Sequence, residues 1–173
     1  EEIANNAKKY FNVTIHMRPE YLLDINSNEA YQIMNYDLMH VQGEYFIQTH
    51  STNPLLKSVT IDKAIEQFFN NIQKHDSLFS VTRVQTRFYD KDINPINHNP
   101  KELKRTQDLD PYYEENSNFY IFSKSSFKSS NNERIGNKPN FYVMNKIESI
   151  DIDDENDFLI AESLKEKMDQ NES

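Results

Sequence analysis

The sequence contains no cysteine and almost no glycine. Only two glycines occur among its 173 residues, Gly43 and Gly136, so neither the G-x-x-x-x-G-K-S/T loop nor the G-x-G-x-x-G loop that binds phosphates is present. The lack of cysteine excludes disulfides and cysteine-ligated zinc, and it suits the cytosol, where we expect the protein to reside. No apolar run approaches the roughly 18–20 residues that a membrane-spanning helix needs.

The charge and the hydrophobic content describe a folded acidic chain. The formal net charge is −9 at pH 7, which argues against general binding to nucleic acids or anionic membranes, and we expect neither as a partner. Hydrophobic residues make up 36% of the chain and aromatic residues 12%, enough for a buried core at this length. We therefore predict a single domain over residues 1–173.

Helical and strand-like patterns alternate along the chain. Apolar residues at helical spacing predict helices over 2–10, 28–41, 61–75, with Thr60 as the N-cap, and 154–168. Alternating or continuous apolar runs predict strands over 12–17, 44–50, 77–84, 117–123 and 139–145. This alternation is typical of an α/β fold with three layers, in which helices cover both faces of a mostly parallel sheet.

Two polar segments follow predicted strands. They are QTHSTNP at 48–54 and DIDDEND at 151–157. In open α/β sheets, ligands bind beyond the C-terminal ends of the strands. We therefore expect the functional site to include these segments.

The acidic segment SIDIDDENDFLIAES, residues 149–163, allows three interpretations. Asp151, Asp153, Glu155 and Glu162 approach the calcium-loop pattern D-x-D/N-x-D/N-G-x5-E. However, the preceding residues are strand-like rather than helical, and Asn156 stands where the pattern requires glycine.

The other two interpretations, a helix cap and a metal-binding pair of carboxylates, are compatible with each other. Asp154 and Glu155 lie where a helix dipole favours negative charge, which predicts an N-terminal cap. At the end of a strand, Asp151 and Asp153 would point to one side while Ile152 is buried. Two such carboxylates hold Mg²⁺ well beside substrate phosphates. We predict both the cap and the metal pair.

Motifs along nearly the whole chain resemble those of the acylneuraminate cytidylyltransferases, the CMP-sialic acid synthetase family. ESIDIDDENDFLIAE is similar to the family's C-terminal signature, and EEIANNAKKYFNVTIHMRPEYL to its helix, strand and R-P-E-x-L loop. FIQTHSTNPLL resembles L-Q-P-T-S-P-L-R with two residues added, and DSLFSVTRV matches the next strand. TQDLDPYYEENSNFYIF and RIGNKPNFYVMN resemble Q-D-L-P-x-x-x-x-x-N-G-A-I-Y-I and R-I-G-x-K-P.

The resemblance implies a fold and an activity. The fold would be a Rossmann-like nucleotidyltransferase of the GT-A-like kind. The reaction would join CTP to a nine-carbon 2-keto sugar acid and release pyrophosphate. Legionaminic, pseudaminic and 3-deoxy-octulosonic acids remain alternative substrates, because THSTNPLL departs from the sialic-acid pattern. From the residues alone, a non-catalytic calcium-binding domain also stays open.

The resemblance also bears on where the chain begins. Family members open with a strand and a basic R-x-G-S-K-x-x-x-x-K-N loop that grips the CTP phosphates. Residue 1 aligns just after that unit. We therefore expect this chain to lack the first strand and the phosphate loop, and to show negligible transferase activity by itself.

Individual residues receive roles from the resemblance. Asp151 and Asp153 would be the catalytic pair that binds Mg²⁺, the expected cofactor. The substrate-binding positions fall on Gln48, Arg105, Gln107, Asn116, Tyr120 and Arg134.

Three local features qualify these roles. Thr106 occupies the slot of the family arginine that binds the sugar carboxylate, so Arg105 or Arg134 would replace it. Ser117 stands where the family has glycine. Of the histidines, which show no H-E-x-x-H spacing, only His50 is placed near the chemistry.

Residues 89–116 break the alternating pattern. They are rich in proline, asparagine and charge, and they are too long for a tidy connection, so we expect a projecting arm. The resemblance identifies this arm as the family's dimerisation element, which reaches the partner's active site. It implies a homodimer in which Arg105 serves the neighbouring subunit.

Overall fold

The computed structural model describes residues 2–10, 12–23 and 31–171. Its contacts divide the chain into two compact units, Glu1–Glu44 and Tyr45–Ser173. The expectation of one domain over 1–173 remains a prediction.

The first unit is helical. Helix α1 covers Glu2–Tyr10, as predicted, a short 3-10 turn covers Glu20–Leu22, and α2 covers Tyr31–His40. Residues 28–30 of the predicted second helix lie outside the described residues. The predicted strand over 12–17 is wrong, because a strand needs a hydrogen-bonded neighbour and the described residues 12–17 pair with none.

The second unit is built on a four-stranded sheet. Strand β1 is Tyr45–Thr49, β2 is Ser77–Val84, β3 is Tyr112–Ser123 and β4 is Pro139–Met144. The strands are ordered β1-β3-β2-β4. The predicted α/β class is confirmed, and four of the five predicted strands form.

The direction of β3 differs from the rest of the sheet. Strand β3 is antiparallel to both β1 and β2, whereas β2 and β4 are parallel. Three strands therefore run in one direction, but two of the three pairings are antiparallel. Most strands therefore point the same way, as predicted, but most neighbouring strands are antiparallel, which was not predicted. No crossover helix separates β2 from β3, and parallel neighbours require such a crossover.

Three helices belong to this unit. They are α3, Ser58–Asn70; α4, Lys124–Ser129; and α5, Glu155–Asn171. Helix α4 was not predicted, because its N-terminal signal is a capping box between Ser123 and Ser126 instead of the usual Ser–Glu pair. No helix in the described part of the chain has both the length and the apolar composition needed to cross a bilayer.

Helix α3 begins earlier than predicted. Lys57 occupies the N-cap position and supplies no side-chain cap. Glu148 replaces that cap from a distant segment, since its Oε2 accepts the Thr60 hydroxyl at 2.5 Å and the Lys57 N–H at 3.3 Å. The predicted Thr60 N-cap is therefore wrong, because the carboxylate needed at the helix start comes from elsewhere in the chain.

The core occupies both faces of the sheet. On one face, Ala64 and Phe68 of α3 pack with Leu78, Phe119 and Ile121. Alternate residues of a strand point to opposite faces, and on the other face Phe122 packs against Phe127 of α4, with ring centroids 5.8 Å apart. Helices thus cover both faces, as predicted.

The predicted arm consists mainly of loop. Tyr89 and Pro95 form an isolated bridge, and the Asp90 carboxylate accepts the backbone N–H groups of Asp92 and Asn94 at its tip. The Asn94 side-chain amide also donates to this carboxylate at 3.0 Å. That hydrogen bond, followed by the one from the Asn94 backbone N–H, lowers the pKa of Asp90. Residues 112–116 form the first part of β3.

Candidate active site

A cleft of about 500 Å³ opens at the C-terminal ends of β2 and β4. Three segments line it, namely the end of β2, the start of β3 and the connection from β4 to α5. The lining residues are Thr82, Val84, Glu114, Glu115, Asn116, Ser117, Lys146, Ser149, Ile150, Asp151 and Asp153. This edge is where ligands bind in open α/β sheets.

An irregularity in β3 brings Asn116 and Ser117 to the cleft. The pairing register shifts between Phe79 and Val81, so residues 116–119 of β3 lie opposite a single residue of β2. Such bulges redirect side chains next to functional sites. Ser117 has φ 55°, a left-handed conformation that glycine adopts most easily. Ser117 therefore adopts, without being glycine, a backbone conformation that glycine adopts most easily.

Asp151 and Asp153 share the cleft. The prediction that they lie at a strand end is wrong, because β4 ends at Met144 and a turn follows it. The connection is held by the Ile152 N–H, which donates to the Thr52 carbonyl at 2.9 Å. The Oδ1 atom of Asp151 is buried and has no hydrogen-bond partner in the described part of the protein.

The next carboxylates cap α5. Asp154 Oδ1 accepts the N–H groups of Asn156 and Asp157 at 2.7 and 3.1 Å. Asp157 Oδ2 in turn accepts the N–H groups of Asp153 and Asp154 at 3.1 and 3.2 Å. This reciprocal arrangement is a capping box. It confirms the predicted cap by Asp154, with Glu155 as the first helical residue.

The segment does not form a helix–loop–helix calcium loop. Strand β4 precedes it instead of a helix, and Asp154 is committed to the cap of α5. Glu162 lies on α5 and does not line the cleft. The calcium pattern in the sequence thus comes from a helix cap beside two cleft carboxylates.

Gln48, His50, Tyr120 and Arg134 form a second group of polar side chains, the guanidinium cluster. Gln48 and Tyr120 are direct partners in the β1–β3 register, so they share a face of the sheet. Arg134 Nη1 donates to Gln48 Oε1 at 3.0 Å, and it lies 3.4 Å from His50 Nε2. The Arg134 guanidinium lies over the Tyr120 ring, 3.8 Å from its centroid, a favourable cation–π contact.

Tyr120 connects this cluster to the cleft. Its hydroxyl donates to Glu115 Oε1 and lies 3.1 Å from Ser117 Oγ, and both residues line the cleft. Burial, and then the hydrogen bond to Glu115, raises the pKa of Tyr120. The phenol therefore stays protonated and keeps donating to Glu115 at neutral pH.

Asp76 anchors the loop that carries Arg134. Its carboxylate accepts the N–H groups of Asn137 and Lys138 at 3.0 and 2.9 Å. The Gly136 N–H donates to Ser77 Oγ at 2.7 Å, and a Cβ at Gly136 would overlap the Asp76 carboxylate. Sequence reasoning missed Asp76, because its partners are backbone groups about sixty positions away and leave no side-chain motif.

Arg105 and Gln107 do not line the cleft. The exposed Arg105 guanidinium binds the Asp108 carboxylate through Nε at 2.9 Å and Nη2 at 3.1 Å. The Gln107 carbonyl accepts the Gln85 side chain at 2.9 Å. Contacts of either residue with a substrate therefore stay a prediction. The other predicted residues lie in the two groups described above. Asn116, Asp151 and Asp153 line the cleft, and Gln48, Tyr120 and Arg134 belong to the guanidinium cluster.

The cleft suits Mg²⁺ better than an all-protein metal cage. Among the described residues, no three His, Cys, Asp or Glu side chains converge on one point. Mg²⁺ is usually held by one or two carboxylates and completed by water and substrate phosphates. Asp151, with its unpartnered buried oxygen, and the exposed Asp153 fit such an ion.

The mixed sheet, covered on both faces and carrying an acidic cleft at one edge, defines an α/β domain with a candidate site at the C-terminal ends of its strands. A family model described as "Cytidylyltransferase" matches residues 1–172. The chain belongs to this cytidylyltransferase family, which confirms the resemblance seen in the motifs.

Two relatives extend the comparison. The chain is 28% identical over 170 residues to "N-acylneuraminate cytidylyltransferase A" of Danio rerio, covering 94% of this chain and 38% of that protein. It is 26% identical over 178 residues to "Post-translational flagellin modification protein B" of Campylobacter coli, covering 96% and 74%. The chain thus spans well under half of the first relative's length and about three quarters of the second's.

A solved structure supports the fold. "4-diphosphocytidyl-2C-methyl-D-erythritolsynthase" from Anaerococcus prevotii DSM 20548 superposes with a TM-score of 0.61 and 10% identity. The match covers 95% of this chain and 76% of that one. At this identity the similarity concerns the fold alone.

The close approach of Gly136 to Asp76 yields a stability prediction. Gly136→Ala should lower the free energy of unfolding by about 1–3 kcal/mol, because the added methyl group displaces the carboxylate that anchors the loop. Urea denaturation followed by circular dichroism measures this change.

The control is to make the same Gly136→Ala change in a chain that already carries Asp76→Ala. With the carboxylate removed, Gly136→Ala should cost clearly less than in the native chain. An equal cost in both backgrounds would show that the methyl group meets something other than Asp76.

Proposed function

We propose that the protein transfers the cytidylyl group of CTP to a nine-carbon 2-keto sugar acid of the sialic acid type. The products are a CMP-sugar and pyrophosphate. The observation that carries the proposal is the pairing of two sites through Tyr120: an acidic cleft and a cationic cluster. Membership of the cytidylyltransferase family supports the nucleotide, and the name of the zebrafish relative supports the class of acceptor.

The acidic side of the cleft would hold the cofactor. We place Mg²⁺ at Asp151 and Asp153. When bound, this ion would neutralise charge on the phosphate oxygens and on the attacking oxygen. Asp151 is held by its half-buried position, whereas Asp153 is exposed and free to adjust to the nucleotide.

The remaining residues would orient the acceptor. The sugar hydroxyl attacks the α-phosphorus in line, and pyrophosphate leaves, so catalysis depends on positioning. The Gln48 amide nitrogen has no acceptor among the described residues and is available to the sugar. Asn116 lines the cleft and is fixed by its amide, which donates to Thr82 Oγ1 at 3.0 Å.

Several sugar acids are candidate acceptors. Legionaminic, pseudaminic and 3-deoxy-octulosonic acids share the carboxylate and the keto group, so the same cleft chemistry serves them. His50, in the segment that departs from the sialic-acid pattern, touches Arg134. This segment is therefore the place where acceptor selectivity would be set.

A substrate panel tests the proposal. The full-length protein is incubated with CTP, Mg²⁺ and each of the four acids, and pyrophosphate release is measured. We expect release with at least one acid, and the highest rate with a sialic acid. No release with any of them would refute the proposed reaction.

Two variants in the same assay test the acidic cleft. Asp153→Asn should lower kcat at least about 100-fold and keep the melting temperature, because removing a cleft carboxylate relieves charge repulsion. Glu162→Gln should change kcat little, because Glu162 does not line the cleft. The reverse order would support a calcium loop, in which the twelfth-position glutamate supplies two ligand oxygens.

We also propose that the protein is a homodimer whose arm contacts the partner. Three large aliphatic side chains of the arm are exposed, namely Ile93 at 80%, Ile96 at 53% and Leu103 at 96%. Exposed apolar groups gathered on one segment are typical of interaction surfaces. Arg105, within the arm, is exposed as well, which suits a role at the neighbouring subunit.

The arm surface can be tested without shortening the chain. Replacing Ile93, Ile96 and Leu103 together by Ser should convert a dimer to a monomer in sedimentation velocity, and leave the fold unchanged because these side chains are exposed. Phe158→Ser, at a half-exposed position on α5, is the control and should leave the dimer intact. A triple variant that remains dimeric would place the interface elsewhere.

A further inference from the structure

Arg134 is a half-buried cation without an anionic partner. No carboxylate of the described residues lies within ion-pair distance of its guanidinium. Several other basic residues, in the arm and on α5, do have such partners. A charge that is partly removed from water is costly unless it is paired. Arg134 is therefore available to an anionic ligand.

The groups around Arg134 offer hydrogen-bond donors to a ligand. Gln48 Oε1 already accepts from Arg134, so the free end of the Gln48 side chain is its NH₂ group. The Tyr120 hydroxyl gives its proton to Glu115. A ligand that meets this cluster can therefore accept hydrogen bonds from the guanidinium and from the amide N–H, as an anion does.

Rigidity favours a planar ligand. The guanidinium is held over the Tyr120 ring and by the Gln48 side chain, and its loop is anchored through Asp76. A fixed guanidinium fork matches the two oxygens of a carboxylate. The cluster is thus preorganised, which lowers the entropic cost of binding.

We infer that the guanidinium cluster binds the carboxylate of the sugar acid within a single chain, with Arg134 as the charged contact. This inference rests on the proposed function. Arg105, the other candidate, has its fork filled by Asp108 and is exposed. The carboxylate site thus lies at the loop after α4, which carries Arg134, and not at the arm, which carries Arg105.

The triphosphate of CTP is a less suitable occupant. Four carboxylates line the cleft beyond Tyr120, at Glu114, Glu115, Asp151 and Asp153, against one cation, Lys146. This excess of negative charge repels a polyanion unless a divalent cation intervenes. None of the four residues of the guanidinium cluster carries a carboxylate. Phosphates would bind on the acidic side with the cation, and the carboxylate on the side of Arg134.

Calorimetry with acids and esters tests the inference. The full-length protein, with Mg²⁺ and an unreactive CTP analogue, is titrated with the four acids and with their methyl esters. We expect at least one acid to bind about 30-fold more tightly than its ester, as for a hydrogen bond to a charged group. Arg134→Gln should reduce the affinity for that acid to the level of the ester, and keep the affinities for the ester and the CTP analogue.

Two further variants complete the experiment. Arg83→Gln, at an exposed arginine of the same sheet, is the matched control and should keep the preference for the acid. Arg134→Lys retains the charge and loses the fork, so it should keep part of the preference even if the glutamine variant is less stable.

The outcomes separate this inference from the proposed function. The inference is overturned if no acid binds, if Arg134→Gln keeps the full preference, if Arg105→Gln removes it, or if Arg134→Gln loses the CTP analogue instead. Preferential acid binding through Arg134 without pyrophosphate release in the native protein would refute the proposed reaction alone.

Discussion

The position of β3, antiparallel between β1 and β2, determines which side chains meet at the site. It places Tyr120 directly opposite both Gln48 and Phe79, so a buried tyrosine stands between a strand-end amide and the centre of the sheet. The register shift in the same strand turns Asn116 toward the cleft. The acidic cleft and the guanidinium cluster are thus held in fixed relation by one strand.

The acidic connection after β4 depends on side chains instead of a strand ladder. The Asn118 amide donates to the Ser149 carbonyl at 3.4 Å, and the Asn53 amide donates to the Ile150 carbonyl at 3.3 Å. Glu148, one residue before, is tied to the start of α3. These contacts from three segments explain how Asp151 can be held in place although no strand carries it. Buried amides of this kind are a costly but specific means of fixing a loop.

Local patterns predicted much of the fold, and distant partners explain the failures. Apolar spacing was enough for α1, β2 and β4, whose boundaries lie close to those predicted. The start of α3 escaped prediction because its cap is Glu148, 88 positions from Thr60. In the site, Asp151 and Asp153 both line the cleft, and their role as a metal pair stays a prediction. The strand predicted to carry them ends earlier, at Met144. The contact between Arg134 and Gln48, 86 positions apart, has no local signal at all.

The proposed reaction depends on a divalent cation, which we propose Asp151 and Asp153 hold inside the cleft. Titration of the ¹⁵N-labelled full-length protein with Mn²⁺ in the presence of CTP tests it directly, because a paramagnetic ion broadens the amide signals nearest to it. We expect the signals of Ser117 and Ile150, both of which line the cleft, to broaden first, while that of Val59 at the start of α3 persists. Broadening centred on Glu162 and the following turn of α5, or no selective broadening, would contradict it.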